Sequence, residues 1–194
     1  VYERGPTGWQ EQAVLRTEPQ PGGYFTIVNT TESVVTSISG DTVVIGNDQG
    51  YRLNSQGAQE KHGEAFVFVR QGTNWNLQAR IVPNDVAIDD DFGRTVEISG
   101  DLAVIGAPDR DSPAVANSGM VYVFRRTGQT WTEVVRLAPD VNGLNGFGSA
   151  LALDGTRLAV LGAHRGADGS VKKSAWLYSL AGGTSQALAT VSID

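Results

Sequence analysis

Residues 89–108, DDDFGRTVEISGDLAVIGAP, decide the fold of this 194-residue chain. Val96 and Ile98 alternate with polar residues, a pattern that predicts a half-buried strand. The run 102–105, like the later run 158–161, is almost continuously apolar, which is typical of a strand that is covered on both faces. The link Ser99-Gly100-Asp101 is short and contains a glycine, as hairpin turns do. The segment therefore predicts two antiparallel strands joined by a tight turn.

Close copies of three segment types recur along the chain. The hairpin segment occurs at 33–46, 93–106 and 148–162, and an aromatic alternation at 65–68, 121–124 and 175–178. A segment led by tryptophan occurs at 75–81 and 131–137, and residues 1–2 with 9–15 fit the same order. The hairpin supplies two strands and the other segments one each, so every period predicts a four-stranded antiparallel sheet.

Such a unit, repeated every 40–60 residues, is the sequence signature of a β-propeller blade. We predict an all-β fold with essentially no helix, in which one region, 1–194, contains about three and a half blades. The half blade covers 1–20, and the full blades cover about 31–84, 89–140 and 145–194. Because closed propellers usually have four to eight blades, we expect a partial propeller or an open arc that more chain or a partner completes.

The motifs in these blades resemble the FG-GAP repeat, the blade of integrin α-subunit propellers and of many bacterial surface proteins. Asp91-Phe92-Gly93 is followed by Val-Ile-Gly-Ala-Pro at 104–108 and by GMVYVF at 119–124. A second copy has Gly146-Phe147-Gly148, with Leu-Gly-Ala-His at 161–164. The resemblance implies a propeller module, which is a statement about fold more than about function.

The first copy departs from this pattern. Glu32-Ser33 stands where Phe-Gly is expected, and Gly46-Asn47-Asp48 stands where Gly-Ala-Pro is expected. The short Ser-Gly-Asp turns and the tryptophan-led strands resemble the variant found in bacterial secreted and envelope-associated proteins more than integrins themselves.

Five aspartates are the candidate binding residues: Asp89, Asp90, Asp91, Asp109 and Asp111. Integrin-type blades bind Ca²⁺ through an aspartate-rich loop, because hard cations need several oxygen ligands. The corresponding turns, 39–41 and 99–101, carry one carboxylate each, so we do not transfer the family's site. Asp89, Asp91, Asp109 and Asp111 could share one Ca²⁺ ion instead, and the alternative is solvated loop charge. We expect no other cofactor.

Other polar and aromatic residues offer no catalytic constellation. The two histidines, His62 and His164, fall in different blades, which argues against a metal pair or a catalytic triad. The tryptophans that share one repeat position are predicted to pack between blades and not to form a sugar platform: Trp9, Trp75 and Trp131. The arginines that end the aromatic strands are predicted to form a solvated edge: Arg70, Arg125 and Arg126.

Composition excludes several classes of function. The net charge of −6 argues against a nucleic-acid partner, and the absence of cysteine excludes disulfides and thiolate metal sites. No run of 18 apolar residues predicts a transmembrane segment. The chain starts at Val1 without a signal-like segment, so we expect it to be a piece of a longer precursor.

Two functions from different classes remain. The first is a non-catalytic recognition or adhesion module, secreted or on the cell surface, whose loops bind a protein or a glycan. The alternative is a structural subunit, whose open blade edges assemble with further copies or with other chains into a larger complex or fibre. A propeller enzyme is the third and weakest hypothesis.

Overall fold

The computed structural model describes residues 1–15, 34–53, 55–113, 115–139, 146–165 and 168–193. These residues form sixteen β-strands and one 3-10 turn, Ala181–Gly183, with no α-helix among them. The predicted all-β fold of four-stranded antiparallel sheets is confirmed. No helix in the described ranges is long and apolar enough to cross a membrane. The blade boundaries stay a prediction, and their residues 16–20, 31–33, 140, 145 and 194 lie outside the described ranges.

The first sheet, called blade 1, is a hairpin of β1 (Tyr2–Gly5) and β2 (Gly8–Glu11). Arg4 lies directly opposite Trp9 in this hairpin. No described strand pairs with the inner edge of β1.

Blade 2 contains a hairpin that the sequence did not predict. Its four main strands are β3 (Val35–Ser39), β4 (Thr42–Asn47), β7 (Glu64–Gln71) and β8 (Asn74–Ile81), in that spatial order. The additional hairpin of β5 (Tyr51–Leu53) and β6 (Gln59–Lys61) lies between β4 and β7 in the chain.

Blades 3 and 4 repeat the plain four-stranded pattern. Blade 3 contains β9 (Thr95–Ser99), β10 (Leu102–Ala107), β11 (Met120–Thr127) and β12 (Thr130–Leu137). Blade 4 contains β13 (Ala150–Asp154), β14 (Arg157–Arg165), β15 (Val171–Ser179) and β16 (Gln186–Ile193). In all three full blades the register of the two outer strands shifts at the same place, before the last aromatic residue of the third strand.

Successive blades stack through alternate residues of their inner strands. In β10, Ala103 and Ile105 belong to a core shared with blade 2, whereas Leu102 and Val104 belong to a core shared with blade 4. We call the side of a blade that carries Ala103 and Ile105, toward the preceding blade, its leading face. The side that carries Leu102 and Val104, toward the following blade, is its trailing face. Because both faces of β10 are covered, its sequence is continuously apolar.

Blade 4 is covered on one face only within the described residues. Leu158 and Val160 are buried on its leading face, whereas Ala159 and Leu161 on its trailing face are only partly buried. The sequence-based expectation that 158–161 is covered on both faces is therefore wrong for the trailing face, since no described blade follows.

The Phe-Gly motifs of blades 3 and 4 each meet a glycine of the preceding blade. Gly63 forms a parallel bridge with Phe92, and Gly119 forms the same bridge with Phe147. A Cβ atom on Gly63 or Gly119 would lie less than 3.0 Å from the carbonyl oxygen of the bridged phenylalanine, which is closer than real Cβ atoms approach. The two phenylalanines are almost fully buried. The phenylalanine therefore forms part of the contact between blades.

In blades 2 and 3, the glycine before the last residue of the second strand also lies very close to the following blade. A Cβ atom on Gly106 would lie 2.5 Å from the carbonyl oxygen of Gly148 in blade 4, and a Cβ atom on Gly46 would collide with Gly93 of blade 3. Only glycine lets the two backbones come this close. The repeated glycines thus encode the contact between one blade and the next.

Candidate functional site

The predicted aspartates lie at one end of the strands. The loop that contains Asp89, Asp90 and Asp91 leads into β9, and the loop that contains Asp109 follows β10. Because β9 and β10 are antiparallel, the start of one and the end of the other lie at the same edge of the sheet. The Ser99-Gly100-Asp101 turn lies at the opposite edge. The candidate site is therefore separated from the hairpin turns by the length of the strands.

Two cations hold the buried carboxylates of this site. The Lys61 Nζ atom lies 2.7 Å from Asp91 Oδ1 and 3.7 Å from Asp89 Oδ1. The Arg94 Nη1 atom lies 3.1 Å from Asp91 Oδ2 and 3.1 Å from Asp48 Oδ2. Asp48 and Asp91 are buried, so each carboxylate needs a cation to offset its lost hydration. The result is a charge network that joins blade 2 to blade 3.

Asp109 completes this network through a hydrogen bond with Asp91. Partial desolvation, this hydrogen bond and the repulsion from Asp91 raise the pKa of Asp109, although Arg94 and Lys61 act in the opposite sense. Partial burial alone would lower the pKa of Lys61, but the hydrogen bond and the attraction from Asp91 raise it. The attraction from Asp91 thus favours the charged form of Lys61, whereas the repulsion from Asp91 favours the protonated form of Asp109.

Asp90 belongs to a second network. Its Oδ2 atom accepts hydrogen bonds from Arg110 Nη1 at 2.8 Å and from the Ala87 backbone N–H at 2.8 Å. Arg110 also binds Asp85 at 2.9 Å, and Arg136 binds the same Asp85 oxygen at 2.5 Å. Asp90 thus anchors its own loop and contributes little charge to solvent.

The backbone separates the three consecutive aspartates. Asp89 and Asp91 have φ angles of 64° and 56°, in the left-handed region that aspartate tolerates better than most residues. The resulting change of direction sends Asp90 toward Arg110 and Asp91 toward Arg94. Although the three aspartates are consecutive in the chain, their carboxylates therefore do not converge on one ligand.

Asp111 has a different role. Its Oδ1 atom accepts a hydrogen bond at 2.8 Å from the backbone N–H of Asn117, which stabilises the loop between β10 and β11. Among the described residues, no group of three or more histidine, aspartate or glutamate side chains is arranged to hold a metal ion. The shared Ca²⁺ site of Asp89, Asp91, Asp109 and Asp111 stays a prediction. The described contacts show Lys61 and Arg94 supplying the positive charge there.

The arginines that end the aromatic strands are ion-paired, so the predicted solvated edge is wrong for Arg70 and Arg126. Arg70 Nε lies 2.6 Å from Asp41 Oδ1, and an Arg126 guanidinium nitrogen lies 2.7 Å from Asp101 Oδ1. The single aspartate of each Ser-Gly-Asp turn therefore binds the arginine near the end of the aromatic strand in the same blade. Arg125 reaches the Leu180 carbonyl in blade 4 at 3.4 Å, a long hydrogen bond.

The tryptophans differ in their burial although they share a repeat position. The Arg126 guanidinium lies 5.2 Å from the Trp131 ring centre, and the Trp131 Nε1–H donates to Gln78 of blade 2 at 2.9 Å. Trp131 therefore packs between blades, as predicted. The Arg70 guanidinium lies 6.0 Å from the Trp75 ring centre in the same way. Trp9 is 70% exposed, so the packing interpretation is wrong for Trp9.

The two histidines form no catalytic pair with each other. The His62 ring lies 3.0 Å from the Val86 carbonyl oxygen and 3.3 Å from Glu60. The His164 ring lies 2.9 Å from the Ser174 hydroxyl, but Ser174 is completely buried and cannot reach a substrate. Both histidines have structural contacts.

This fold, with charged loops at one edge of stacked four-stranded sheets, defines a repeat protein of β-propeller-type blades. Residues 75–124 match the FG-GAP repeat family, from outer strand β8 of blade 2 to aromatic strand β11 of blade 3. This segment is an FG-GAP repeat, and the predicted resemblance is confirmed. No curated protein sequence matches the chain.

The sequence analysis missed the cations of the site. Arg94 directly follows the Phe-Gly motif and Arg110 lies between two aspartates, so neighbouring residues could have indicated that both arginines belong to the site. Lys61 carried none, because it lies on the unpredicted hairpin of blade 2.

Proposed function

We propose that this chain is a non-catalytic recognition module that binds a protein or a glycan through its charged loops. One observation carries the proposal. The network of Asp48, Lys61, Asp91 and Arg94 has a buried base and an exposed rim: the Asp89 side chain is 74% exposed and the Arg94 side chain is 52% exposed. Exposed charges on loops that a rigid sheet positions are typical of recognition sites.

The rim carries both signs of charge. Lys61 and Arg94 each bind one carboxylate oxygen of Asp91, while Asp89 and Asp109 are exposed next to them. Such a surface selects partners by electrostatic complementarity, which sets specificity and association rate more than raw affinity. The occurrence of FG-GAP repeats in extracellular and envelope proteins supports a secreted or cell-surface location for this binding.

The test compares two charge reversals. Asp89→Lys changes the exposed rim, and Asp168→Lys changes an exposed loop of blade 4. Both variants and the wild type are applied to a glycan array and used in quantitative pull-downs of surface proteins at 150 mM and 500 mM NaCl. We expect a ligand that the wild type and Asp168→Lys retain, that Asp89→Lys loses, and that high salt weakens. Equal retention by Asp89→Lys, with an unchanged melting temperature, would contradict the proposal.

A second candidate function is a structural subunit that assembles through open blade faces. The observation that favours it is the exposure of aliphatic side chains at both ends of the array. Ile38 in blade 2 is 58% exposed, and Val191 in blade 4 is 50% exposed. The molecular mass in solution distinguishes this candidate from a monomeric recognition module.

A further inference from the structure

The loop before β9 exposes an aliphatic side chain at the candidate site. Ile88 is 50% exposed and directly precedes Asp89, whose side chain is 74% exposed. Of the large apolar side chains that the structure describes in residues 82–137, only that of Ile88 is exposed. Because this loop lies between blades 2 and 3, the exposure does not arise from an open end of the array.

The loop is fixed on both sides of Ile88. The Asp89 backbone N–H donates a hydrogen bond to the Lys61 carbonyl oxygen at 3.1 Å. The Ala87 backbone N–H donates to Asp90 Oδ2 at 2.8 Å. A loop that is already ordered before it binds loses little conformational entropy on association. The backbone therefore presents Ile88 and Asp89 to a partner in one arrangement.

The charged side chains next to Ile88 carry an excess of negative charge. Four carboxyl groups face two cations, and the six residues are Asp48, Asp89, Asp91, Asp109, Lys61 and Arg94. Lys61 and the half-exposed Arg94 both bind the buried Asp91. Asp89 lies 3.7 Å from Lys61 Nζ, beyond hydrogen-bond distance, and the exposed Asp109 is hydrogen-bonded to another carboxyl group. These two exposed carboxyl groups are therefore free to bind a cation from outside the chain.

The neighbouring networks do not offset this excess. Three carboxylates face two arginines on one side, and the five residues are Asp85, Asp90, Glu133, Arg110 and Arg136. On the other side Glu60 adds a further carboxylate, 3.3 Å from His62. The loop edge between blades 2 and 3 is therefore acidic, like the whole chain with its net charge of −6.

This combination of groups favours a protein over a glycan. The charged groups of glycans are mostly carboxylates, sulfates or phosphates, which an acidic edge repels. Neutral sugars commonly stack on exposed aromatic rings, but among the described residues the exposed aromatic side chains are those of Tyr2 and Trp9, both in blade 1. Lysine and arginine side chains supply the opposite charge, and protein interfaces surround apolar contacts with a polar rim.

We propose that the loop edge between blades 2 and 3 binds a basic segment of a partner protein, with Ile88 as its apolar anchor and Asp89 and Asp109 as contacts for its lysine or arginine side chains. This inference rests on the proposed recognition function and names the class of partner for the same site. Burial of Ile88 supplies affinity, because it removes apolar surface from water. The two carboxyl groups stay partly hydrated and set specificity and the association rate.

The experiment starts from a defined probe, a phage-displayed library of random 12-residue peptides. The library is selected on the immobilised wild-type chain at 150 mM NaCl. We expect the retained peptides to contain more lysine and arginine than the unselected library and to share an aliphatic or aromatic residue. The most strongly retained peptide is synthesised, and fluorescence anisotropy measures its dissociation constant. A copy in which glutamate replaces every basic residue should bind at least a hundredfold more weakly.

Matched variants separate the anchor from the charges. Ile88→Ser should weaken binding of the synthetic peptide at least tenfold, whereas Leu188→Ser, at a 54% exposed position of blade 4, should change it less than twofold. Asp89→Asn combined with Asp109→Asn should weaken binding at least tenfold at 50 mM NaCl and remove most of its salt dependence. Asp168→Asn, at an exposed carboxylate of blade 4, is the control for charge. Circular dichroism and the melting temperature establish that each variant is folded.

The outcomes that overturn the inference differ from those that overturn the proposed function. Retained peptides without basic enrichment contradict the class of partner, and a peptide that Ile88→Ser binds as tightly as the wild type contradicts the anchor. A glycan that Asp89→Lys loses, with no peptide retained, supports the recognition function and rejects a protein partner. If neither the peptide library nor the glycan array gives a ligand that depends on Asp89, the recognition function fails together with the inference.

Discussion

The trailing faces of blades 3 and 4 have the same strand register, but only the face of blade 3 is covered by another described blade. Blade 3 presents Leu102, Gly106 and Gly119 to the following blade, and each is covered or closely approached by it. Blade 4 presents Arg157, Leu161 and Lys173 at these positions, with no following blade in the described residues. The comparison shows that the glycines of the repeat serve the interface and not the sheet, since blade 4 forms the same four strands without them.

The largest expected effect comes from giving blade 3 the residue of blade 4. In Gly106→Leu, the new Cβ would collide with Gly148 and with the Thr95 side chain, and the rest of the side chain has no space at the interface. We expect a loss of about 3 kcal/mol or more in the free energy of unfolding, measured by urea denaturation.

The reverse exchange is the control for that prediction. Leu161→Gly removes a partly buried side chain from the open face and should cost only about 1 kcal/mol, chiefly through the flexibility of glycine in a strand. Equal losses from the two substitutions would show that the interface imposes no special demand at Gly106.

A smaller effect distinguishes the hairpin turns. The Ser39 hydroxyl accepts a hydrogen bond from the Gly100 backbone N–H at 3.0 Å, and Ser99 accepts one from Gly155 at 3.1 Å, so each turn binds the turn of the following blade. Asp154 is the equivalent residue in blade 4 and is exposed. We expect Ser99→Ala to cost about 1 kcal/mol and Asp154→Ala less than about 0.5 kcal/mol in urea denaturation. A cost of Asp154→Ala as large as that of Ser99→Ala would contradict the difference between the faces.

A third effect concerns the raised pKa of Asp109 at the site between blades 2 and 3. Because the pKa of Asp109 is raised above its ordinary value of 3.8, its contribution to stability is complete below that value and is lost as the pH rises through the folded-state pKa. Asp109→Asn should raise the melting temperature at pH 7 by about 1 °C, a small amount because the group is exposed and screened by solvent.

The pH dependence supplies the control for this effect. The advantage of Asp109→Asn should disappear below about pH 3.8, where the wild-type carboxyl group is protonated in both states. In contrast, hydrogen bonds from Ser170 lower the pKa of Asp168, so Asp168→Asn should give no gain at pH 7. A gain of equal size from both substitutions would point to general charge reduction instead of the contact with Asp91.

The smallest expected effect is that of Ca²⁺. With Lys61 and Arg94 already bound to the buried carboxylates, we expect 5 mM CaCl₂ to leave the melting temperature unchanged relative to 5 mM MgCl₂. A rise that Ca²⁺ alone produces, and that Asp91→Asn abolishes, would establish the metal site that the aspartates suggested.

Sequence patterns predicted the sheets well because strands obey local rules. Alternation, glycine turns and repeats identified the strands of the three full blades, and the FG-GAP motif was recognised from residues such as Phe92 and Gly93. The patterns failed where a residue's environment depends on a distant segment. Trp9 and Trp131 share a repeat position, but only Trp131 finds a partner, Gln78, on a preceding blade. The unpredicted hairpin that carries Lys61 has no counterpart among the described residues of blades 3 and 4, so repeat comparison could not reveal it.

By itself, the sequence determined that this protein is an all-β chain of four-stranded sheets with an FG-GAP repeat at residues 75–124, because strand alternation and turn chemistry depend on neighbouring residues. Only the tertiary structure decided which aspartates meet and what neutralises them. Asp90 and Asp91 are adjacent in the chain, but they bind Arg110 and Arg94 in separate networks. The tertiary structure also decided which glycine positions matter, since the register of β14 and β15 puts Leu161 and not Gly162 at the interface position. Contacts between blades, such as those of Gly63 with Phe92 and of Ser39 with Gly100, join residues that are far apart in the chain, so they depend on how the sheets stack.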